Sequence, residues 1–331
     1  MPEASTQGLR PGGTFGLEVI TKRSTCFLVL MYNDATRMCR IAYLLFICAG
    51  PERLDGYRTP FNPFTPEPRN PDMAQGYAEL QMYVAPDRVR DAQEQWLNAA
   101  LALLGAERLD ASALDLPQLW LSPRLLIAQT CGYPLMTQLR GQVQVVGRPV
   151  YQLPHSADGN HCSVLVARAD DPRQRLEDFR GSHGLLNSQD SNSGMNLFRH
   201  ALAPLHAGGA FFARVSLTGG HRNSLAEIKA KRGDLASIDS VTFDYLARDH
   251  SDEVAGLKVI ARTAAGPCLP YITRVGADAQ AILDALNQAL QALPEVAQVL
   301  AIREVLPASE ADYQVLLDYE QHARAQGLPT L

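Results

Sequence analysis

The apolar and polar positions after residue 76 follow two different periods. The segment "YAELQMYV" alternates with the period of two that is typical of a strand. The next segment, "DRVRDAQEQWLNAALALLG", has the helical period, which places Leu97, Leu101 and Leu104 on one face. Gly105 is a typical helix stop. We therefore predict a strand followed by a helix that ends at Gly105.

Strand-like and helix-like segments continue to alternate along the chain. Further strands are predicted at "RLLIAQT", "VQVVGRPVY", "HCSVLVAR", "GLLNSQ", "FFARVSL", "LASID" and "LKVIART", and "CGYPL" is predicted to be a turn. Helices are predicted at "NSGMNLFRHAL", "LAEIKAKRG" and "SVTFDYLARDH", and again at 277–291 and 310–326. Such alternation predicts an α/β fold in which mostly parallel sheets are covered by helices on both faces.

The first 75 residues have a different pattern. Arg37 and Arg40 precede an apolar run at 41–49, and this order resembles the basic and hydrophobic parts of a signal peptide. The run is too short to span a membrane. No clean small-residue cleavage site follows it, so a leader of this kind would be degenerate.

A proline-rich segment follows the apolar run. It has six prolines between Pro51 and Pro71, which cannot pack as a helix or as a central strand. Two interpretations of residues 1–75 stay open: a degenerate leader, or translated upstream sequence with Met73 as the natural start. Under either interpretation we expect residues 1–75 to be disordered or not part of the native protein.

The charge balance argues against two classes of partner. The chain of 331 residues has a formal net charge of -5, and its lysines are Lys22, Lys229, Lys231 and Lys258. An acidic surface repels phosphate backbones and anionic lipids, so we expect no binding to nucleic acid or to membrane surfaces. The six cysteines form no C-x-x-C pair and are interpreted as isolated thiols. We therefore expect neither a metal site nor a cofactor.

The turns between a strand and the following helix are the places to search for a ligand site, because parallel sheets bind ligands at the carboxyl ends of their strands. Ser191, Asn192, Ser193 and Gly194 form one such turn. Their hydroxyl, amide and backbone N–H groups meet at the positive end of a helix dipole, which suits a tetrahedral oxyanion without a lysine. The alternative is that Ser191 or Ser193 only caps the helix, which is the commoner use of serine.

A second turn has a similar composition. It contains Thr218, Gly219, Gly220, His221 and Ser224 between a predicted strand and a predicted helix. The two glycines allow a ligand to approach the backbone, and His221 can donate a hydrogen bond to an oxyanion. A surface histidine and an N-cap are the alternatives for His221 and Ser224. Two turns rich in donors suggest one shared cleft.

Four further side chains lie at predicted strand ends. Asp239 can accept a proton from a monoprotonated anion or pair with an ammonium group of the ligand, and a helix N-cap is its alternative role. Thr130 and Tyr133 follow one strand, and Tyr83 ends the first. Tyrosines at strand ends are more often core aromatics, but as a pair on opposing strands Tyr133 and Tyr83 could form the walls of a pocket.

The order of these motifs resembles the PhnD-like phosphonate-binding family of ABC-transporter substrate-binding proteins. The resemblance covers roughly residues 76–305. Its most specific features are S-x-S-G at 191–194, G-x-H-x-x-S at 219–224 and the strand-end carboxylate of Asp239.

The resemblance implies an α/β fold of the type II periplasmic-binding-protein kind, in which two crossover strands join two lobes and the ligand lies between them. It implies that Ser191, Asn192, Ser193 and His221 hold a phosphonate, phosphite or phosphate group. Asp239 would face the substituent of the ligand or its proton. The family also implies a periplasmic location and an ABC permease as partner. A cytoplasmic location is the alternative, because no clean signal peptide is found.

The glycine and proline segment "AAGPCLPY" suggests where the chain crosses between lobes. We predict a first lobe at 76–168, a second lobe at 169–262, and a return to the first lobe with C-terminal helices at 263–331. We expect a monomer that binds a small oxyanion.

Two classes of function stay open. The first is a protein that captures an oxyanion for a permease and has no catalytic activity. The second is an enzyme or soluble sensor with the same lobes, for instance with Ser193 as nucleophile, His221 as base and Asp239 as the group that orients the base. The sequence lacks the G-x-S-x-G motif that many hydrolases use, which argues against the enzyme. Tight binding of a ligand without turnover would separate the two.

Overall fold

The computed structural model describes residues 75–206 and 208–331 in full, together with the backbone of three strands nearer the N-terminus. The chain divides into two compact units, Met1–Thr65 and Pro66–Leu331. The division lies before the boundary predicted at residue 75.

The first unit contains an antiparallel sheet of three strands. These are β1 (Gly16–Lys22), β2 (Thr25–Met31) and β3 (Ala42–Ile47), in the order β1–β2–β3. β1 and β2 pair along their whole length, from Gly16 with Met31 to Lys22 with Thr25. We did not predict these strands, because the apolar run at 41–49 was interpreted as part of a leader.

Other predictions for this region lie outside the described residues. They concern Arg37, Arg40, the proline-rich segment 51–71 and the start at Met73. They therefore stay predictions.

The second unit contains the remaining strands and all of the described helices. Its strands are β4 (Gln75–Glu79), β5 (Glu107–Leu109), β6 (Leu125–Gln129), β7 (Val143–Tyr151), β8 (Ser156–Ala157), β9 (Asn160–His161), β10 (Ser163–Arg168), β11 (His183–Leu186), β12 (Arg214–Leu217), β13 (Leu235–Asp239), β14 (Leu257–Arg262), β15 (Gly266–Pro267), β16 (Tyr271–Arg274) and β17 (Ile302–Pro307). Its α-helices are α1 (Asp87–Leu104), α2 (Leu116–Trp120), α3 (Gly132–Thr137), α4 (Leu197–Leu202), α5 (His221–Lys229), α6 (Ser240–Asp249), α7 (Ser251–Val254), α8 (Ala279–Ala292), α9 (Pro294–Leu300) and α10 (Gln314–Ala325). A π-helical turn, Asn192–Asn196, leads directly into α4.

Two sheets form two lobes. The sheet of the first lobe has the order β17–β7–β16–β6–β4–β5, and that of the second lobe has the order β12–β11–β13–β10–β14. Between them lies a small sheet, β15–β9–β8, through which the chain crosses in each direction. β16 and β17 belong to the first sheet, so the chain returns to it after β14.

The sheets are mixed, and the prediction of mostly parallel sheets is wrong in this respect. β4 is parallel to β5 and β6, and β11 is parallel to β12 and β13. The other pairs in the two large sheets are antiparallel. The antiparallel pairs arise where strands enter or leave a crossover, which the pattern of apolar residues along one strand does not reveal.

One predicted lobe boundary also differs from the structure. Strand β10, Ser163–Arg168, was assigned to the first lobe because it precedes residue 169. It pairs with β13 and β14 in the second sheet. An apolar strand that is buried on both faces has the same sequence pattern in either sheet, so only the pairing fixes its place.

The periodicity of α1 is confirmed. Leu97 and Leu101 are buried, Leu104 packs against the same core, and the helix ends at Gly105 in the left-handed conformation with φ of 62°. The segment predicted as the turn "CGYPL" is different. It forms the short helix α3, in which Pro134 lies in the first turn, where an N–H group is not needed.

Two helices pack against both lobes. Tyr245 of α6 lies in the core of the first lobe, where its hydroxyl donates to the carbonyl of Leu300 at 2.6 Å. On α10, Leu316 packs in a cluster with residues of the first lobe, whereas Ala323 packs with Phe198 of the second. Any movement between the lobes must therefore shift these two contacts.

Among the described residues, no helix combines the length and the apolar character needed to cross a membrane.

Candidate functional site

A cleft of about 510 Å³ lies where the strand ends of the second lobe face the first lobe. Five of the ten residues predicted to bind ligand line it: Tyr83, Ser191, Ser193, His221 and Asp239. The two donor-rich turns, one at 191–194 and one at 218–224, therefore do share one cleft. The other five predicted residues do not line it: Thr130, Tyr133, Asn192, Gly194 and Ser224.

The residues that do not line the cleft hold its walls. Thr130 is fully buried, and its hydroxyl donates to the carbonyl of Cys131 at 3.4 Å. The hydroxyl of Ser224 shares a hydrogen bond of 2.6 Å with that of Thr218 and thereby braces the glycine turn. Tyr133 instead lines a second cavity of about 400 Å³, beside Arg199.

Asn192 and Gly194 are fixed by the structure around the π-helical turn. The N–H of Asn192 donates to Cys131 Sγ at 3.3 Å. Burial raises the pKa of the Cys131 thiol to about 11, so this sulfur stays uncharged at neutral pH. A Cβ atom on Gly194 would lie 1.7 Å from Asn187 Oδ1, so only glycine fits there.

Ser191 caps a helix and also lines the cleft, so it combines the two roles that the sequence left open. Its backbone is extended, with φ of -69° and ψ of 135°, and its hydroxyl oxygen accepts the N–H of Gly194 at 2.9 Å. This is an N-cap. A hydroxyl that accepts a hydrogen bond keeps its own O–H as a donor, and Ser191 lines the cleft. Capping and ligand binding are therefore compatible at this residue.

Ser193 is linked to His221 across the cleft floor. Ser193 Oγ lies 3.0 Å from His221 Nε2. The backbone N–H of Asp239 donates to His221 Nδ1 at 3.4 Å. The backbone of Ser237 also hydrogen-bonds the ring, in the sense that raises the pKa of His221. Ser193 Oγ and His221 Nε2 thus lie side by side in the cleft, where either group can contact a ligand.

Two buried serines that we did not predict hold Ser193 in place. Ser163 on β10 and Ser237 on β13 each donate a hydroxyl to the carbonyl of Ser193, at 2.8 and 2.6 Å. Both side chains are fully buried. The signal in the sequence was a lone hydroxyl residue in each of two apolar strands, "HCSVLVAR" and "LASID".

Asp239 is a buried carboxylate that accepts three hydrogen bonds. Its Oδ1 accepts the N–H groups of Val241 and Thr242 at 2.9 and 3.1 Å, which caps α6 as the alternative role predicted. Its Oδ2 lies 3.1 Å from His161 Nδ1 and accepts the hydroxyl of Tyr83 at 3.4 Å. Burial by itself would raise the pKa of Asp239, but the neighbouring His161 and His221 hold it below the usual value. The group is therefore ionised at neutral pH.

His161 and Asn187 are further residues at the site that the sequence did not reveal. His161 is 1% exposed on the crossover strand β9. Asn187 lines the cleft at the end of β11, and its Oδ1 is buried without a hydrogen-bond partner among the described residues. Asn187 could have been predicted, because it lies near the end of a predicted strand. His161 could not, because it reaches the site only where the chain crosses between the lobes.

The cleft offers uncharged donors. Arg222 lines its edge, but Glu253 holds the guanidinium group by two contacts of 2.6 and 2.5 Å. No lysine is among the cleft residues that the structure describes. The described residues also contain no cluster of His, Cys, Asp and Glu that could hold a metal ion. An anion bound here would be held by hydroxyl, imidazole and backbone N–H groups.

The state of His221 gives a first prediction. Burial lowers the pKa of His221 although Asp239 lies nearby, so the ring is neutral at pH 7. Below pH 6.5 the unfolded chain takes up a proton at this residue more readily than the folded chain, so acidification reduces stability. We expect NMR of the ring nitrogens to show a neutral ring at pH 7, with the second nitrogen protonated only below pH 6.5. A ring that carries protons on both nitrogens at pH 7 would contradict this expectation.

One of the comparisons with known proteins identifies a family. The family model for the periplasmic substrate-binding protein of ABC phosphonate transporters matches residues 125–313, more than half of the chain. No curated protein sequence matches the chain.

Solved structures share the fold at low sequence identity. A binding protein component of an ABC phosphonate transporter from Pseudomonas aeruginosa, PA3383, superimposes with a TM-score of 0.63 and 16% identity, covering 77% of this chain and 88% of that chain. PhnD1 from Prochlorococcus marinus, solved with methylphosphonate, has a TM-score of 0.58 and 10% identity, covering 76% and 98%. XAC2383 from Xanthomonas citri, solved with ATP, has a TM-score of 0.53 and 16% identity, covering 77% and 97%.

The predicted fold class and the predicted family are thus confirmed. The fold is that of the type II periplasmic binding proteins, with a cleft between two α/β lobes. On the strength of the family match, the chain belongs to the phosphonate-binding family of periplasmic substrate-binding proteins of ABC transporters.

Proposed function

We propose that this protein captures a phosphonate in the cleft between its lobes and delivers it to an ABC permease. One observation carries the proposal: Ser191, Ser193 and His221 converge on the first turn of a helix at the floor of the cleft. Methylphosphonate is the ligand of the Prochlorococcus marinus neighbour.

The chemistry of these donors suits a tetrahedral oxyanion. The N–H groups in the first turn of a helix lack intrahelical acceptors, and the helix dipole favours negative charge there. The hydroxyls of Ser191 and Ser193 add two donors, whose hydrogen bonds to a charged oxygen contribute about 1.5–3 kcal/mol each. His221 Nε2 lies 3.0 Å from Ser193 Oγ, so the two groups are hydrogen-bonded side by side at the cleft floor. A site built from such uncharged donors can bind an anion although it has no fixed positive charge of its own.

The same geometry argues for binding without catalysis. A serine nucleophile needs a histidine whose Nε2 accepts the serine proton, while a carboxylate accepts the proton on Nδ1. Here the backbone N–H of Asp239, and not its carboxylate, faces His221 Nδ1. The carboxylate instead contacts His161 and Tyr83. His221 therefore lacks the carboxylate that orients and stabilises the base of a serine triad, and we propose that the protein is not an enzyme.

The family supports the remaining parts of the proposal. Members are periplasmic, so we propose that this protein works in the periplasm as a monomer with a permease as its partner. The crossings through β8, β9 and β15 provide a hinge between the lobes, and closure around a ligand is a common motion of such two-lobe proteins.

Calorimetric titration of the full chain tests the proposal. We expect methylphosphonate to bind at one site per chain, with a Kd that changes less than about tenfold between low and high salt, since the donors carry no net charge. ³¹P NMR of the mixture after prolonged incubation should show the phosphonate unchanged. The proposal fails if methylphosphonate, phosphite and phosphate all fail to bind, or if the phosphonate is converted to a product.

A further inference from the structure

The two walls of the cleft differ in character. The second lobe supplies most of the polar side chains. The first lobe supplies Tyr83, whose hydroxyl already donates to Asp239, and the apolar Met82, Leu116, Trp120, Pro134 and Leu269. None of the described side chains that the first lobe contributes to the cleft is charged. The half of a ligand that faces away from the oxyanion donors would therefore meet an apolar surface.

Trp120 contributes its apolar ring to this wall. Its indole N–H is already used, because it donates to the carbonyl of Gln129 at 3.2 Å. The side chain is 6% exposed. A residue whose polar group is engaged elsewhere offers a ligand only dispersion contacts and a hydrophobic surface.

The volume of the cleft exceeds what the smallest phosphonate needs. Methylphosphonate has few heavy atoms, and a ligand of that size fills on the order of 100–150 Å³, by comparison with about 30 Å³ for a water molecule. The cleft measures about 510 Å³. The cleft therefore has room for a larger substituent, and the apolar wall bounds part of that room.

Neither acidic residue of the cleft belongs to the apolar wall of the first lobe. Asp239 is 3% exposed, and its oxygens are engaged by the cap of α6, His161 and Tyr83. Asp190 lies at the exposed rim, where it accepts the hydroxyl of Ser188 at 2.6 Å. A positively charged substituent that packs against the apolar wall would therefore lose its water without gaining a counterion there, which is costly.

We propose that the ligand is a phosphonate with an uncharged, apolar organic substituent, such as an alkyl or aryl group, which packs against Leu116 and Trp120. This inference rests on the proposed function. It goes beyond that function because it separates the ligand from phosphate, phosphite and aminoalkylphosphonates.

A series of ligands on the full chain tests the substituent. From methylphosphonate to n-butylphosphonate, we expect calorimetry to show binding that tightens about fourfold per methylene group, roughly 50-fold in all. n-Propylphosphonate should bind at least about tenfold more tightly than 2-aminoethylphosphonate, which has the same length but carries an ammonium group. Equal binding of these two, or no gain with chain length while methylphosphonate still binds, overturns the inference and leaves the proposed function intact. Failure of every phosphonate overturns the proposed function.

A substitution in the wall provides a second test. Leu116→Glu places a carboxylate beside the substituent. It should therefore lower the affinity for n-propylphosphonate at least about tenfold and raise the affinity for 2-aminoethylphosphonate. Leu121→Glu is the matched control, since Leu121 follows the same helix, is 46% exposed and does not line the cleft. The control should keep the preference of the parent. If Leu116→Glu still prefers n-propylphosphonate over 2-aminoethylphosphonate as strongly as the parent does, the assignment of this wall is overturned. If that variant does not fold, the ligand series on the parent tests the inference alone.

Discussion

The double substitution Ser191→Ala and Ser193→Ala is expected to weaken phosphonate binding by roughly two to four orders of magnitude. Each hydroxyl donates one hydrogen bond to a charged oxygen, and each such bond contributes about 1.5–3 kcal/mol. Two bonds lost together correspond to this range of affinity, because about 1.4 kcal/mol is a factor of ten. Titration of the double variant with methylphosphonate measures the effect directly.

The double variant also loses a helix cap, so its effect on stability needs a control. Ser191 accepts the N–H of Gly194, and removal of such a cap costs about 1 kcal/mol. Ser309 forms a capping box with Asp312 at another short helical turn, and Ser309→Ala should cost a similar amount without changing affinity. If the double variant binds methylphosphonate as tightly as the parent, the two serines only cap the helix.

Asp239→Ala is expected to reduce the free energy of unfolding by about 2–4 kcal/mol. Its carboxylate caps α6, which contributes about 1 kcal/mol, and it is also a buried acceptor for Tyr83 beside the ring of His161, whose loss costs about 1–3 kcal/mol more. Asp278 is a matched control, since it caps α8 through the N–H of Ala281 at 2.9 Å in an exposed position. Asp278→Ala should cost only about 1 kcal/mol. Urea unfolding at pH 7 compares the two variants.

The pH dependence of the same pair provides an independent check. Because the pKa of Asp239 is lowered in the folded chain, its contribution is fully present above about pH 4, the usual pKa of an aspartate. The contribution is lost as the pH falls through the lowered value. The gap between the parent and Asp239→Ala should therefore narrow on acidification. Equal losses in Asp239→Ala and Asp278→Ala at pH 7 would show that Asp239 acts only as a cap.

Local pattern predicted the elements whose apolar period is clear. The helix that ends at Gly105, the strand β7 and the strand β13 agree with their predicted positions. The helix α3 was missed, because glycine and proline usually break helices and only their place in the first turn makes them acceptable here. The direction of strand pairing was missed as well, since it depends on partners far away in the chain.

The sequence predicted only part of the candidate site, because a local pattern shows the donors but not their distant partners. Donor-rich turns that follow strands are visible in the sequence, and they led to Ser191, Ser193 and His221. The partners that fix these donors come from elsewhere: Ser163 and Ser237 reach the carbonyl of Ser193 from two other strands. Such contacts across the fold leave little trace in a local pattern.

The central claim is that the turn at 191–194 holds the phosphonate between the lobes, and a crystal structure of the full chain with methylphosphonate tests it most directly. We expect phosphonate oxygens within about 3 Å of the hydroxyls of Ser191 and Ser193, which is hydrogen-bond distance. The methyl group should point toward Leu116 and Trp120. A phosphonate bound elsewhere on the protein, with this turn in contact only with solvent, would contradict the account.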